Sequence, residues 1–334
     1  MITQKEIAEK LGISRTTVAR AINGSPLIKE ETKRKVMKLI KEMNYEKNIV
    51  GSSLAIKKTK QVYCLVIKSK NEFYTQEIIR GLLDAGKEFK PYGLRLKIIE
   101  SDINDSESQL KELEKILSYD DIDGLIITPL EKNKAYEMIK PHLERIKVVS
   151  LGIRLGKEIY YVGPDHVKQG KIAACIMNSL LRKGEKLLII DNGDDKISSK
   201  EYIEGFIKTA QTGEAEILGP LDGKGIENSV ELIKKMCEEN DIKGIYMNRY
   251  AHDTYAEIPI NFLASKKIVT NGISREIKKM IKNGIITATV MEEIAAEGYA
   301  SARKIFDLLY KCTAESETWE ISKSHIIFLE NLND

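Results

Sequence analysis

Thr3-Gln4-Lys5-Glu6-Ile7-Ala8-Glu9-Lys10-Leu11-Gly12-Ile13-Ser14-Arg15-Thr16-Thr17-Val18-Ala19-Arg20-Ala21-Ile22-Asn23 reads as two short helices joined by a glycine turn. Thr3 and Glu6 stand at capping-box spacing, in which a hydroxyl and a carboxylate satisfy orphan N–H groups at a helix start. Ile7, Ala8 and Leu11 recur at helical spacing, Gly12 permits the left-handed residue that ends a helix, and Ser14 is placed to cap the next one. Val18, Ala19 and Ile22 are the expected buried side of the second helix. Arg15, Thr16, Thr17 and Arg20 are left outward, and these residue types bond base edges in a major groove or phosphate oxygens.

The charge distribution agrees with that assignment. Residues 1–60 hold 14 Lys and Arg against 6 Asp and Glu, whereas the remaining 274 residues hold 39 against 44. A near-neutral total thus conceals a basic head, and association of such a head with phosphates should weaken steeply with salt. A third helix is expected with Val36, Leu39, Ile40 and Met43 as its apolar stripe, closed by Asn44-Tyr45. The stretch Asn48 to Ile56 reads as a short, weak helix followed by Lys57-Lys58-Thr59-Lys60. Gly51 within it costs about 1 kcal/mol relative to Ala. Such a segment is expected to order on meeting DNA, or else to serve as a plain linker.

With 334 residues and 42% apolar content, two or three compact units are expected. There is no run of about 18 apolar residues to span a bilayer. The polar start from Thr3 is unlike a signal peptide, so a cytoplasmic protein is expected. Cys64, Cys175, Cys237 and Cys312 lie far apart and are expected to be reduced core thiols. His142, His166, His252 and His325 are equally scattered, so neither a metal site nor a cofactor is expected. Enzymatic motifs are missing as well: there is no G-x-S-x-G elbow and no phosphate-binding loop, and Gly223-Lys224-Gly225 lacks the dinucleotide context. Asp120, Asp121 and Asp123 read as turn chemistry before a buried strand rather than as paired catalytic carboxylates.

From Gln61 apolar strands and amphipathic helices alternate. Strands are expected at Val62 to Ile67, Leu94 to Glu100, Gly124 to Thr128 and Val148 to Leu151, with helices over Gln76 to Lys90, Ser108 to Tyr119 and Lys134 to Arg145. After Tyr160-Tyr161-Val162-Gly163 the rhythm restarts, with a helix over Val167 to Lys183 and strands at Leu187 to Asp191, Ile217 to Gly219, Gly244 to Asn248 and Lys267 to Thr270. This alternation predicts an α/β core of two doubly wound parallel-sheet subdomains behind an all-α helix-turn-helix headpiece. The expected division is 1–46 for the head, 47–60 for the linker, 61–160 with 291–318 for one subdomain, and 161–290 with 319–334 for the other. Ligands of such sheets lie beyond the carboxyl ends of the strands, so strand-following residues are the site candidates.

The whole chain resembles the lactose-repressor (LacI/GalR) family of transcription regulators, whose core is like the type I periplasmic sugar-binding proteins. The head match is Ile7 to Gly24, continued by Thr32-Lys33-Arg34-Lys35-Val36 and Asn44-Tyr45. The resemblance implies that Arg15, Thr16 and Arg20 read bases, that Thr3, Ser14, Thr17 and Asn23 hold phosphates, that Asn48 belongs to the same interface, and that Leu54 wedges into a minor-groove step. Gly51 stands where the family usually has alanine, and Lys29 where a capping hydroxyl is usual.

At the implied effector site the chain departs further. Lys200 precedes Gly205-Phe206 where an arginine is usual, Asn248-Arg249 replaces Asn-Asp, Asn271 lies in a substituted segment, and Glu292 stands for a glutamine, while Asp165 keeps the family's acidic position. Phe73 and Tyr74 suit stacking on sugar C–H faces. Lys200, Arg249 and Arg154 supply cationic donors, which leaves a sugar acid or phosphosugar open. Tyr202 and Tyr246 are expected to be packing residues. The resemblance implies a homodimer on double-stranded operator DNA, controlled by a small carbohydrate-like effector, with repression the expected sign. With no room for a heptad tail after Ser322 to Leu329, a dimer is expected over a tetramer. A regulator answering a protein partner or corepressor, and more remotely a solute-binding protein, remain as alternatives.

Overall fold

The computed structural model describes residues 3–22, 28–43, 59–69, 71–310 and 319–332. Helix Gln4–Leu11 starts with the expected capping box: Glu6 N donates to Thr3 Oγ1 at 3.3 Å, and Thr3 N donates to the Glu6 carboxylate at 2.6 Å. Gly12 ends the helix at φ 62°, a conformation in which a side chain would strain the backbone. Helix Arg15–Ile22 follows, with Thr17 N donating to Ser14 Oγ at 3.0 Å, and helix Glu30–Glu42 completes the head. Ile7, Ala8, Val18, Ala21, Ile22, Val36 and Ile40 form the core, with Leu39 and Met43 packed at its margin. Ala21, not Ala19, is the buried alanine of the second helix. It lies three residues and so about 60° round the helix from Val18, whereas Ala19 is turned about 100° from Val18. Asn23, Asn44, Tyr45, Asn48, Gly51 and Leu54, on which the linker expectations rest, lie outside the described residues.

The chain divides into two compact units, Met1–Ile67 with Arg80–Tyr161 and Gly298–Trp319, and Lys68–Ile79 with Val162–Glu297 and Glu320–Asp334. One six-stranded sheet contains β1 (Lys60–Lys68), β2 (Leu94–Asp102), β3 (Ile122–Ile127), β4 (Lys147–Leu151), β5 (Tyr160–Gly163) and β11 (Trp319–Ile321) in the order β11-β5-β4-β3-β1-β2. The other contains β6 (Lys186–Asp191), β7 (Glu216–Asp222), β8 (Ile242–Met247), β9 (Lys267–Asn271), β10 (Ala288–Glu292) and β12 (Ser324–Ile327) in the order β12-β10-β9-β8-β6-β7. Strands β6 to β10 pair in parallel, and β12 closes the edge antiparallel to β10, with Glu292 opposite Ser324. In each sheet the strand order reverses beside the first strand, at β1/β3 and at β6/β8. A doubly wound sheet opens its ligand crevice at that switch point.

Apolar runs fill the sheets because both faces are covered. Leu65, Leu125, Ile127, Ile116 and Ile139 lie in one core, and Leu187, Ile189, Phe206, Tyr246, Val269 and Val290 in another. Full burial of each such side chain contributes about 1.5–3 kcal/mol. Helices His166–Leu180 and Ile197–Ala210 cross almost in backbone contact. A Cβ on Gly170 would lie 2.1 Å from the Tyr202 carbonyl oxygen, and one on Gly205 would lie 2.0 Å from that of Val167. Phe206 stacks on Tyr246 beneath this crossing, and both are buried, as is Tyr202.

Several boundaries differ from expectation for identifiable reasons. The first core helix begins at Glu72 rather than Gln76, because an acidic first turn suits the helix amino end, and it carries Phe73 and Tyr74 with it. The helix expected to reach Arg145 stops at Ile139 and continues as a short turn where Pro141 removes an N–H donor. Strand β7 runs through Pro220 because it is an edge strand, where a missing donor is tolerated. The stretch from Ser322 to Leu329 carries β12, and β11 precedes it as an edge strand of the other sheet. Cys64 is buried, but Cys175 is exposed on the outer side of its helix and Cys237 is half-buried, so the core-thiol expectation holds for Cys64 alone of the three; Cys312 lies outside the described residues. Asp123 of the acidic loop is a structural acceptor: Lys60 Nζ reaches it at 2.6 Å and Gln61 N at 2.9 Å.

Candidate functional site

Two places gather the residues singled out above. On the head, Arg15, Thr16 and Arg20 are exposed on helix Arg15–Ile22, while Thr17 is half-buried and its hydroxyl lies 2.8 Å from that of Ser14. Lys33 and Lys35 are tied to Glu30 and Glu31 along their own helix, at 3.3 and 2.8 Å. Arg15 and Arg20 make no ion pair among the described residues. Their guanidiniums, with five donors each in a planar fork, are thus the uncommitted cations on the exposed face of the second helix.

The second place is the carboxyl end of β6, β8 and β10 in the second unit. Asn248, just past β8, is fully buried, and its Nδ2 donates to Ser199 O at 3.0 Å and to Asp191 Oδ1 at 3.4 Å. Arg249 donates to Ser198 Oγ at 2.9 Å and lies 3.6 Å from Asp194. From β10, the buried Glu292 carboxylate accepts Gln169 Nε2 at 3.2 Å, and Gln169 Oε1 in turn accepts the Tyr202 hydroxyl at 3.0 Å. This relay aims Glu292 from within the crossing of the two glycine-packed helices. Phe73 and Tyr74 are half-buried on the first turn of helix Glu72–Phe89.

The charges of these groups are coupled. Burial, then Glu297 and Glu292, push the Tyr74 hydroxyl far above its ordinary range, while Arg249 acts in the opposite sense. Burial and Glu292 likewise raise Tyr202. Glu297, which accepts the Ser322 hydroxyl, is held well above the usual carboxylate range by burial first and by Glu292 second. Tyr74, Tyr202, Arg249, Glu292 and Glu297 therefore share one electrostatic neighbourhood.

The remaining candidates are placed elsewhere or are occupied. Asp165 is exposed and caps helix His166–Leu180 by accepting Lys168 N at 2.8 Å. Lys200 is exposed and turns to Asp195 at 2.9 Å. Asn271 is buried, accepts the Tyr246 hydroxyl at 2.6 Å, and so braces β8 against β9. Arg154 lies over the rings of Tyr161 and Trp319 in the first unit, at 5.0 and 5.2 Å. Asp191 ends β6 and Asn192 and Asp194 follow it; sequence reasoning did not single them out, though the strand-end rule could have found them. Gln169 and Tyr202 carry no such signal, since they sit within helices and meet only through the fold.

A basic helix pair joined to a doubly wound, two-unit core defines a DNA-binding regulator with a ligand-binding body. The chain matches the family described as periplasmic binding protein domain over residues 62–311, and the bacterial regulatory proteins of the lacI family over residues 3–48. Its body belongs to the periplasmic binding protein domain family and its head is a lacI-family DNA-binding domain, and the chain is a DNA-binding transcriptional regulator. Catabolite control protein A of Staphylococcus aureus is 29% identical over 241 residues, covering 71% of this chain and 70% of that one. The HTH-type transcriptional regulator RegA of Clostridium saccharobutylicum is 36% identical over 122 residues, covering 36% of this chain and 35% of that one. Among solved structures, the fold is shared with GanP, a glucose-galactose binding protein from Geobacillus stearothermophilus, at 17% identity and a TM-score of 0.68 over 82% of this chain and 99% of that one. Among the described residues no helix is long and apolar enough to cross a membrane.

Proposed function

We propose that this regulator is a non-enzymatic, cytoplasmic homodimer that represses transcription by binding a near-palindromic operator, and that a small carbohydrate-like effector controls it from the carboxyl ends of β6, β8 and β10. Arg15, Thr16 and Arg20 read base edges; Thr3, Ser14, Thr17 and Asn23 hold phosphates; Asn48 adds to the contact and Leu54 enters a minor-groove step. Asn248, Arg249, Glu292, Phe73 and Tyr74 contact the effector, with Asp165, Lys200 and Asn271 supporting the same region. The observation that carries the effector reading is a set of buried polar atoms at the β6/β8 switch point, Asn192 Nδ2, Asn248 Oδ1 and Ser199 Oγ, that have no hydrogen-bond partner among the described residues. Buried polar atoms cost about 1–3 kcal/mol when unpaired, and a polyhydroxylated ligand would satisfy them. Effector occupancy shifts operator affinity by a coupling of about 1–3 kcal/mol.

The test is an operator-binding titration with and without a carbohydrate panel, run beside calorimetry on the protein alone. A sugar that gives heat and changes operator affinity is the expected result. Operator binding indifferent to every carbohydrate that binds would overturn the control mechanism.

A further inference from the structure

Backbone strain gathers at the carboxyl end of the second sheet. Among the described residues the non-glycine positions with positive φ are Asp195, Lys224 and Tyr250, at 55°, 46° and 56°. They follow β6, β7 and β8, which are neighbours in one sheet. The left-handed region crowds a Cβ against the following carbonyl, so glycine enters it freely and most side chains do not. Two of the three have a local reason. Aspartate tolerates this conformation, and Asp195 also engages Lys200 at 2.9 Å. Lys224 is fixed by its own N–H, which donates to Asp222 Oδ1 at 3.0 Å, and by that of Gly225, which donates to Asn192 O at 2.9 Å. Tyr250 is a bulky aromatic, for which φ 56° and ψ 21° is an outlier that glycine would relieve.

The ring of Tyr250 lies at the β6/β8 switch point. The Arg249 guanidinium carbon is 5.5 Å from its centroid, and Arg249 is held by Ser198 Oγ at 2.9 Å and Asp194 at 3.6 Å, both from the segment after β6. Burial raises the Tyr250 hydroxyl, Arg249 opposes the rise, and Asp194 and Asp253 add to it, so the β6 loop is within electrostatic reach of the phenol. The residue is half-buried, which leaves part of its surface open. Asn248, two positions back, is fully buried; its Nδ2 faces two acceptors, which fixes the amide orientation and leaves Oδ1 without a donor. A flat apolar ring and an unpaired amide oxygen thus stand together where the strand order reverses. Strain kept at a ligand crevice marks a side chain retained for what it does there, since a smaller residue would adopt the same backbone without cost.

We propose that Tyr250 is a ligand-contacting and specificity-determining residue of the second unit: its ring packs against the C–H face of a closed-ring sugar, while a hydroxyl of that sugar donates to Asn248 Oδ1. This rests on the carbohydrate reading above and names the class within it, cyclic sugars over open-chain polyols. A pyranose presents a flat apolar face with its hydroxyls fixed around it. The matching alditol carries its hydroxyls on a flexible chain that has no such face and must be ordered on binding. Arg249, lying over the ring, holds it for that contact.

The test is calorimetry on the purified protein with matched pairs: D-glucose and D-glucitol, D-galactose and galactitol, D-ribose and ribitol. At least one sugar is expected to bind about tenfold or more tighter than its alditol. Tyr250→Ala and Tyr250→Gly are expected to bring that sugar down to the level of its alditol, and Tyr250→Phe, which keeps the ring, to preserve the ranking. Thermal melts separate contact from fold: Tyr250→Gly should melt above Tyr250→Ala, because glycine relieves the left-handed strain, and yet bind no better. Sugar binding by Tyr250→Gly at the wild-type level, alditols binding as tightly as their sugars, or Tyr250→Gly melting at or below Tyr250→Ala overturns the Tyr250 assignment and leaves the carbohydrate reading standing. No heat from any compound overturns both.

Discussion

Substituting Gly170 by alanine tests the packing that aims the site. The new Cβ would lie 2.1 Å from Tyr202 O and 2.9 Å from Phe206 N, both backbone atoms that no rotamer change can move. Restoring an ordinary contact of about 3.3 Å requires the two helices to part by about 1 Å, which opens the core around Ala173, Ala174 and Phe206. Overpacking of this kind costs typically about 1–3 kcal/mol, and against immovable backbone the upper part of that range applies. Alanine's better helix propensity returns about 1 kcal/mol, so the net loss is about 1–2 kcal/mol. With a slope of about 2 kcal/mol/M in urea, the unfolding transition of the second unit should move down by about 0.5–1 M. Gly86→Ala is the control, since there the Cβ meets only the Leu96 side-chain tip at 3.3 Å and the first unit should be unchanged or slightly stabilised. Because Gln169 and Tyr202 flank the crossing, Gly170→Ala should also weaken ligand binding. A Gly170→Ala protein unfolding at the wild-type urea concentration would refute the backbone-contact argument.

Other outcomes follow from single contacts. Arg15→Ala should weaken operator binding by about 1–3 kcal/mol and relax preference at one base pair, as measured by binding-site selection; an unchanged selected sequence would remove its base-reading role. Asp123→Ala strands the Lys60 ammonium and the Gln61 N–H at the start of β1 and should cost about 1–3 kcal/mol in thermal unfolding, with no loss refuting the anchor. Glu297 titrates above its unfolded range, so the folded chain holds a proton there that the unfolded chain has released. Stability should therefore fall as pH rises from the ordinary carboxylate range toward the folded value, and Glu297→Gln should lose less over that window. Parallel pH–stability curves for the two proteins would contradict the buried-acid assignment.

Much of this architecture is legible from short-range chemistry. The capping box at Thr3 and Glu6, the left-handed Gly12 and the apolar period of each helix act within one turn, so the head can be read residue by residue. The parallel sheets announce themselves by unbroken apolar runs such as Leu187 to Ile190, which only a doubly covered sheet requires. Site geometry is less legible because it depends on contacts distant in sequence. Asn248 and Arg249 are strand-following residues and were identifiable as such, but Arg249 proves to be committed to Ser198 and Asp194 some fifty residues away. Likewise Asn271 was plausible as a ligand contact on position alone, yet its carbonyl accepts the Tyr246 hydroxyl, a role fixed by strand order. The Tyr202–Gln169–Glu292 relay spans three elements and leaves no local pattern.

The central claim is that the head selects particular DNA and that small-molecule occupancy of the second unit changes that selection. Genomic fragments captured by the purified protein at modest ionic strength, with and without a panel of carbohydrates, test it most directly. Enrichment of a few two-fold-symmetric sites, altered by at least one of these compounds, is the outcome expected from the exposed arginines and the polar strand ends. Capture of fragments without sequence preference, unaffected by every compound, would contradict it.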